Sequence, residues 1–586
     1  MKKPSSLKSI HYFCVAVFLF FPVIAKAETQ EIINQQDWIT RNQQNILEEK
    51  KRDKEIETIK KERERKKKED EEKRGQALES SASGKDSACF LIKEIKLIDA
   101  HLISPRRQKK LTQNFLGKCF EEKILAEMVT AVNAYYQSAG YVTTQVIVPQ
   151  QNLQSGILEI KIIEGKVEKI SLGKDRFTDK MQEFTAFGNI EGDVLNIHDV
   201  NQGMYQINRL QSNQAVMQIV PGSSVGESKI IIDNNKKFPV RATVGQDNLG
   251  NNFTGVRRTN FSAGIDNLLF LNDNINLSYS TNLRDDSQVK DIKSFTSGIT
   301  IPFGYNTFAF DYSRSEFRGT NPGQSGTSRY TGYSDQRKFS IDRALLNSAN
   351  FRLATNASLT EKQAASYLND VKTANSERRL VIANVGFSIS SYLNDTISIY
   401  LKPSYSRGLK ILNAIKDQKN IPADNAKAQF EAFKLYATIS KRLTIPKINA
   451  PLTLTTEMDS QFAKETLFGS EQFSVGGYYS VRGFREDYIN GDSGYYFRNK
   501  ASFNVGSLFS YLNNFKLEPF YDYGHVRNKY NGSSGRLAGA GIKTIFESKY
   551  FNASITYSNA LQKSKLITST VKENKIIYFE VSASCC

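Results

Sequence analysis

From Phe238 to the C-terminus the chain alternates apolar and polar residues in strand-length segments, and this period of two constrains its fold more than any other feature. Ile275, Leu277 and Tyr279 alternate with Asn274, Asn276, Ser278 and Ser280, and Phe433, Leu435, Ala437 and Ile439 with Lys434, Tyr436, Thr438 and Ser440. Phe551, Ala553, Ile555 and Tyr557 repeat the pattern against Asn552, Ser554, Thr556 and Ser558. A soluble sandwich also alternates, but it buries its apolar face and seldom needs so long a run. No segment beyond the N-terminal leader approaches the ~18 uncharged apolar residues of a spanning helix. A membrane chain built this way closes into a barrel, with apolar residues facing lipid and polar ones filling the lumen. Candidate strands lie near 240–249, 258–268, 273–282, 293–302, 305–313, 334–343, 351–361, 378–390, 396–407, 429–441, 452–461, 494–506, 514–523, 537–546, 550–559 and 576–584. Their number is sixteen, and even parity leaves both barrel ends on the periplasmic side.

The leader supports that location. Lys2, Lys3 and Lys8 precede an apolar run from Ile10 to Ile24, and Ala25-Lys26-Ala27 has the small-x-small form of a cleavage site. Residues 1–27 therefore read as a secretory signal peptide. The formal net charge of +18 suggests nucleic acid at first sight. Export argues against that, and the basic residues are scattered through alternating segments, as a channel lining or anionic membrane surface would have them.

Residues 28–48 carry Ile32, Ile33, Trp38, Ile39, Ile46 and Leu47 at near-helical spacing in a polar background, giving a short amphipathic helix. From Glu48 to Arg74 thirteen basic residues stand against eleven acidic ones. With the Gly- and Ser-containing stretch that follows, 49–88 reads as a charged linker. Two small α/β modules come next, 89–165 and 166–238. The first holds the strand CFLIKEIKLID, a helix with Ile124, Leu125, Met128, Val129, Val132 and Tyr136 on one face ending at Gly140, and the strands YVTTQVIV and GILEIKII. The second holds VEKISL, a helical candidate from Ile197 to Leu210, AVMQIV and SKIIID. Cys89 and Cys119 lie thirty residues apart in the first module, where an oxidising compartment favours a disulfide. Cys585 and Cys586 end the chain, and their state is open.

One loop stands apart. GGYYSVRGFREDY, within a long connection over 462–493, falls between candidate strands eleven and twelve and so on the extracellular side. Its aromatics and glycines suit packing against protein, as an element folded into the lumen, rather than an exposed hairpin tip. Arg482 then needs an acidic partner. On FKLEPFYDYG, alternation turns Lys516, Glu518, Phe520 and Asp522 inward, and Asp522, Glu518, Glu486 and Asp487 all compete for the arginine.

These features together resemble the outer-membrane transporters of two-partner secretion, the TpsB family of the Omp85 superfamily. VRGF at Val481–Phe484 is similar to the family's V-R-G-F/Y loop motif, and FYDYG at Phe520–Gly524 to its companion on the thirteenth strand. INRLQSNQAVMQIVPGSSVGESKIII resembles the second periplasmic module, with Gln211 where proline is usual, and Cys89-Phe90 and Cys119 match the first module's cysteine pair. The resemblance implies a sixteen-stranded transmembrane β-barrel over 239–586, preceded by two small α/β POTRA domains and an N-terminal plug helix at 28–48. It selects Asp522 as the partner of Arg482, in a loop–barrel lock made with Val481, Gly483, Phe484, Phe520 and Gly524. The C-terminus departs from the pattern, since Phe579 is followed by EVSASCC where an aromatic residue usually ends the chain.

The sequence holds no Walker-type phosphate loop, metal cluster or convincing triad, and His11, His101, His198 and His525 are too few and scattered to build a site. The chain is therefore not read as an enzyme, and no cofactor or metal is expected. The expected function is export of a large, unfolded, β-rich exoprotein (of the haemolysin, adhesin or haemagglutinin type) taken up through the POTRA domains. A monomeric barrel, outer-membrane lipid around it and the barrel assembly machinery during biogenesis complete the expected partners. The alternatives are a factor that assembles other outer-membrane proteins, and a passive porin or adhesive surface protein. The two periplasmic modules count against the last pair.

Overall fold

The computed structural model describes most of residues 36–65 and residues 91–585, apart from short breaks at 120, 283–289, 324–325, 349, 374–375, 447–449, 508–513 and 568–574. The expected signal peptide lies outside the described residues, as do 28–35, 66–88, Cys89 and Cys586.

The first module packs two helices, α2 (Pro105–Thr112) and α3 (Glu122–Ser138), on a sheet ordered β1 (Glu94–Ile98), β3 (Ile157–Ile163), β2 (Gln145–Ile147). Met128, Val132 and Tyr136, spaced four apart, fill its core with Leu158, Ile160 and Ile162. The chain leaves α3 through Gly140 at φ 93°, a left-handed conformation that glycine adopts without strain. Cys119 is disulfide-bonded and bridges Leu91 through its backbone; Cys89, its expected partner, is among the residues not described.

The second module repeats the plan with α4 (Phe177–Phe187) and α5 (Ile197–Asn208) on a sheet ordered β4 (Lys166–Leu172), β6 (Glu227–Asn234), β5 (Ala215–Pro221). The N-R-L-x-S-N stretch closes it. Asn208 receives the Ala215 N–H at 2.7 Å and donates to the Ala215 carbonyl at 2.9 Å, and Asn213 donates to the Ile207 carbonyl. Arg209 reaches across to the carbonyl of Asn272, in a periplasmic barrel turn, and the Ser212 N–H meets Asp266 at the end of the second barrel strand. At a second turn Gln206 donates to the Gly304 carbonyl and Asp199 accepts from the Tyr305 hydroxyl, so this module sits directly on the barrel's periplasmic rim.

Within this module Leu172 donates its N–H to Glu183 at 2.6 Å. Burial, opposed by that N–H and aided by Asp175 and Glu191, pushes the Glu183 carboxyl up to about 7. A carboxyl raised on folding stabilises the fold when protonated, so this contribution is present at low pH and lost as pH rises through about 7. Hydrogen exchange of the intact protein is expected to show faster opening of α4 at pH about 8.5 than at about 5.5, with the difference flattened in Glu183→Gln.

The remainder is a closed antiparallel barrel. Among the described residues sixteen strands span it, from Val240–Asp247 to Lys575–Cys585; Val371–Lys372 only extends one extracellular hairpin. The last strand pairs with the first, Glu580 against Asp247 through Cys585 against Ala242, so the unusual C-terminal residues still close the ring. Free Cys585 is exposed on that strand. Phe295, Phe310, Phe339, Phe387 and Phe433 face outward, exposed, as the alternation requires of a lipid-facing set.

The lumen corrects one expectation. Residues 48–61 are helical (α1) and run inside the barrel, although 49–61 were expected to begin a charged linker. Their charges meet the wall: Lys51 with Asp311 at 2.5 Å, Arg52 with Asp459 at 3.3 Å, Glu55 with Lys402 at 3.3 Å and with the Tyr400 hydroxyl at 2.8 Å. Arg52 also lies over the Tyr436 ring, and Ile59 packs between Tyr400 and Tyr436. The wall supplies the counter-charges that solvent would supply to a free helix.

Candidate functional site

The connection between the eleventh and twelfth barrel strands (Ala450–Ala463 and Ser493–Asn504) folds inward as a small hairpin, Phe473–Val475 paired with Ile489–Gly491. Val475, Val481, Phe484 and Ile489 form an apolar cluster with Tyr496, Val526 and Leu537 of the wall. This burial holds the loop where polar composition alone would leave it in water.

At its tip Arg482, only 3% exposed, faces Asp522, fully buried on the thirteenth strand (Phe515–Arg527). Nε and Nη2 of the arginine donate to the two carboxylate oxygens at 2.6 and 2.8 Å, and the Arg482 backbone N–H adds a third bond at 3.1 Å. The guanidinium lies 3.4 Å from the centre of the Phe520 ring, on the same inward face of the strand. A bidentate fork stacked on an aromatic face fixes the arginine in position and orientation, which lysine could not reproduce.

The approach needs three glycines. Gly483 adopts φ 104°, and a Cβ there would lie about 3 Å from the backbone of Asn559 and Ala560. On the fourteenth strand (Ser534–Glu547) a Cβ at Gly539 would fall 1.8 Å from the Arg482 carbonyl oxygen. Gly539 is the cross-strand partner of Asp522, so the wall is bare opposite the carboxylate that takes the arginine. At Gly524 a Cβ would strike Val475 at 2.4 Å and crowd Val481.

The other acidic residues that sequence placed in competition for Arg482 are engaged elsewhere or stand apart. Glu486 accepts the Asn252 N–H, Asp487 pairs with Lys563 at 2.5 Å, and Glu518 lies inward on the thirteenth strand without a described contact to the arginine. Further contacts, not foreseen from sequence, surround the tip. Tyr478 donates to Glu580 and receives Lys543 at 2.8 Å, its ring packs on Tyr578, and the Tyr578 hydroxyl donates to the Phe484 carbonyl. The last strand therefore also grips the loop. Its alternation was the available signal, since Tyr578 and Glu580 share the inward face.

The loop and the luminal helical segment touch at the extracellular side. Arg41 donates to the Gly469 carbonyl of the loop, while Asp37 pairs with Arg378 at 2.6 Å, both side chains buried. Lys362 bridges Glu471 of the loop, at 2.8 Å, and Gln44 at 3.2 Å. Deeper in the lumen Arg498 is shared between Glu49 of α1 and Glu457 of the wall. Helix and loop thus fill the channel as connected pieces.

An outer-membrane barrel with its lumen filled in this way and two POTRA modules at its periplasmic mouth is a transporter of the Omp85 superfamily. The chain belongs to the haemolysin secretion/activation protein family ShlB/FhaC/HecB, whose model matches residues 226–544; a ShlB-type POTRA model matches 90–165 and a second POTRA model 166–221. It is 30% identical to the outer membrane transporter CdiB of Dickeya dadantii, over 80% of this chain and 82% of that protein. It is 27% identical to the hemolysin transporter protein ShlB of Serratia marcescens, over 81% of each. The structure of CdiB from Escherichia coli has the same fold, with a TM-score of 0.79 at 24% identity over 94% of this chain and 98% of that one.

Proposed function

We propose that the chain secretes a large exoprotein, unfolded and rich in β-forming sequence, from the periplasm to the cell surface, and that the Arg482–Asp522 contact locks the infolded loop during that cycle. Membership of the secretion family carries the first part. The second rests on the buried bidentate pair and the glycines that admit it. Neither residue performs chemistry in this reading; the pair holds a conformation.

The POTRA sheets are three-stranded and leave edge strands, β1 and β2 in the first and β4 and β5 in the second. Such edges can receive an extended substrate by strand addition, which supplies main-chain hydrogen bonds without demanding much sequence. Passage then requires the luminal helix to leave the pore. Assembly of other outer-membrane proteins, the alternative function, is not favoured by any feature of the site. Cysteines 89 and 119 pair in this reading and brace the first POTRA domain in the oxidising periplasm.

Co-expression with candidate β-rich exoproteins, scoring material outside intact cells, tests the reading. One candidate is expected to appear outside only when this chain is present. Retention of every large β-rich candidate encoded in the same genome, beside normal insertion of the barrel, would count against secretion.

A further inference from the structure

Helix α4 carries apolar side chains on two faces. Its inward face sets Ala186 and Phe187 into the module's core beside Asp179, Gln182 and Thr185, while its open face carries Phe177, 78% exposed, and Phe184, 49% exposed, two turns apart. Isolated exposed apolar residues need no explanation, but a contiguous patch does. Here the patch continues onto the barrel. The Phe184 ring packs edge-on against Phe303 at 5.2 Å between centroids. Phe303 closes the outward series Phe295, Ile299, Ile301 on the fourth strand (Asp291–Phe303), at its periplasmic end. The neighbouring periplasmic turn adds Leu268, Leu269 and Phe270, all about half exposed, and Asn272 of that turn is tied to α4 by bonds to the Gln182 carbonyl and Thr185 hydroxyl at 2.7 and 3.0 Å. Lys180, three residues after Phe177 and four before Phe184, shares that helix face by spacing, and Lys174 and Arg176, also exposed, lead into the helix just before Phe177.

We propose that this face of α4 is a membrane foot, seated in the periplasmic leaflet of the outer membrane. The occupant follows from continuity: Phe184 lies against a side chain that itself faces lipid, so the patch begins where the barrel's hydrocarbon belt ends. The bordering cations suit phospholipid phosphates, with their aliphatic stems lying along the apolar surface. The carboxylates nearby do not oppose this, because Asp175 pairs with Lys169 at 2.5 Å, Asp179 is buried at the start of the helix with Arg176 4.0 Å away, and Glu183 turns to the Leu172 N–H. Anchored at the leaflet as well as through the barrel turns, the second POTRA domain keeps a fixed tilt below the pore.

Trp38 is the chain's one tryptophan, so a Trp38→Phe background makes a single reporter possible. Full-length Trp38→Phe/Phe177→Trp protein would be reconstituted into vesicles of phosphatidylethanolamine and phosphatidylglycerol with or without brominated acyl chains. Val225→Trp in the same background is the control, since Val225 is 84% exposed in the same domain but in the β5–β6 turn. Brominated lipid is expected to quench Phe177→Trp emission roughly twofold and to leave Val225→Trp unchanged, as for an interfacial residue beside an aqueous one. Equal emission from Phe177→Trp in both vesicles would overturn the proposal, as would equal quenching at both positions.

Discussion

Replacing Gly539 with valine is expected to dislodge the infolded loop while leaving every charge of the Arg482–Asp522 pair in the chain. The new side chain would begin 1.8 Å from the Arg482 carbonyl oxygen. The strand cannot yield easily, because Gly539 sits in the ladder between Asp522 on one side and Ala560 on the other. The loop tip must therefore rise, breaking bonds that now measure 2.6, 2.8 and 3.1 Å. Asp522 would then be left as a buried carboxylate without its partner, a loss of about 3–5 kcal/mol in loop docking. Valine should act like removal of the arginine, though it touches no charged group. The check is cleavage of residues 462–493 by protease added to intact cells, expected to appear in Gly539→Val and to be absent from the native chain. A native-like pattern in an inserted Gly539→Val barrel would show that the tip is not held against this wall.

The second large effect concerns the helix in the lumen. Deleting residues 36–65 is expected to raise single-channel conductance in planar bilayers by about tenfold, since sixteen-stranded barrels without a plug enclose an aqueous channel. The deletion removes the partners of Asp311, Arg378, Lys402 and Asp459, all on the barrel wall. A milder change separates position from bulk. Asp37→Arg places a cation against Arg378, both side chains being buried, and should loosen the extracellular part of the luminal segment while the contacts of α1 persist. Intermittent opening is expected there, rather than a steady large current. A deletion variant as silent as the native protein would mean that the helix does not obstruct the pore.

Much of the barrel was legible because a strand repeats every two residues and lipid tolerates few exceptions to the alternation. The thirteenth strand shows this: Phe520, Asp522 and Gly524 share the buried face that their parity predicts. What parity could not do was choose between Asp522 and the other carboxylates, since the choice depends on where a loop forty residues away comes to rest; only the family resemblance pointed to it. The luminal helix beyond residue 48 was not legible for a related reason. Thirteen basic and eleven acidic residues look the same whether water or a distant wall neutralises them. Helix α4 was not legible because its apolar residues are split, Ala186 and Phe187 facing the core beside the polar Asp179 and Gln182 while Phe177 and Phe184 face outward, so no single apolar stripe marks it.

The central claim is that the buried Arg482–Asp522 contact is a conformational lock required for export. Secretion per inserted barrel by Arg482→Ala, with insertion scored by the heat-modifiable mobility of the folded barrel, tests it most directly. The account predicts normal insertion and a fall of roughly tenfold or more in exoprotein outside the cell, the consequence of leaving Asp522 buried and unpaired. Native levels of secretion from a normally inserted Arg482→Ala barrel would contradict it.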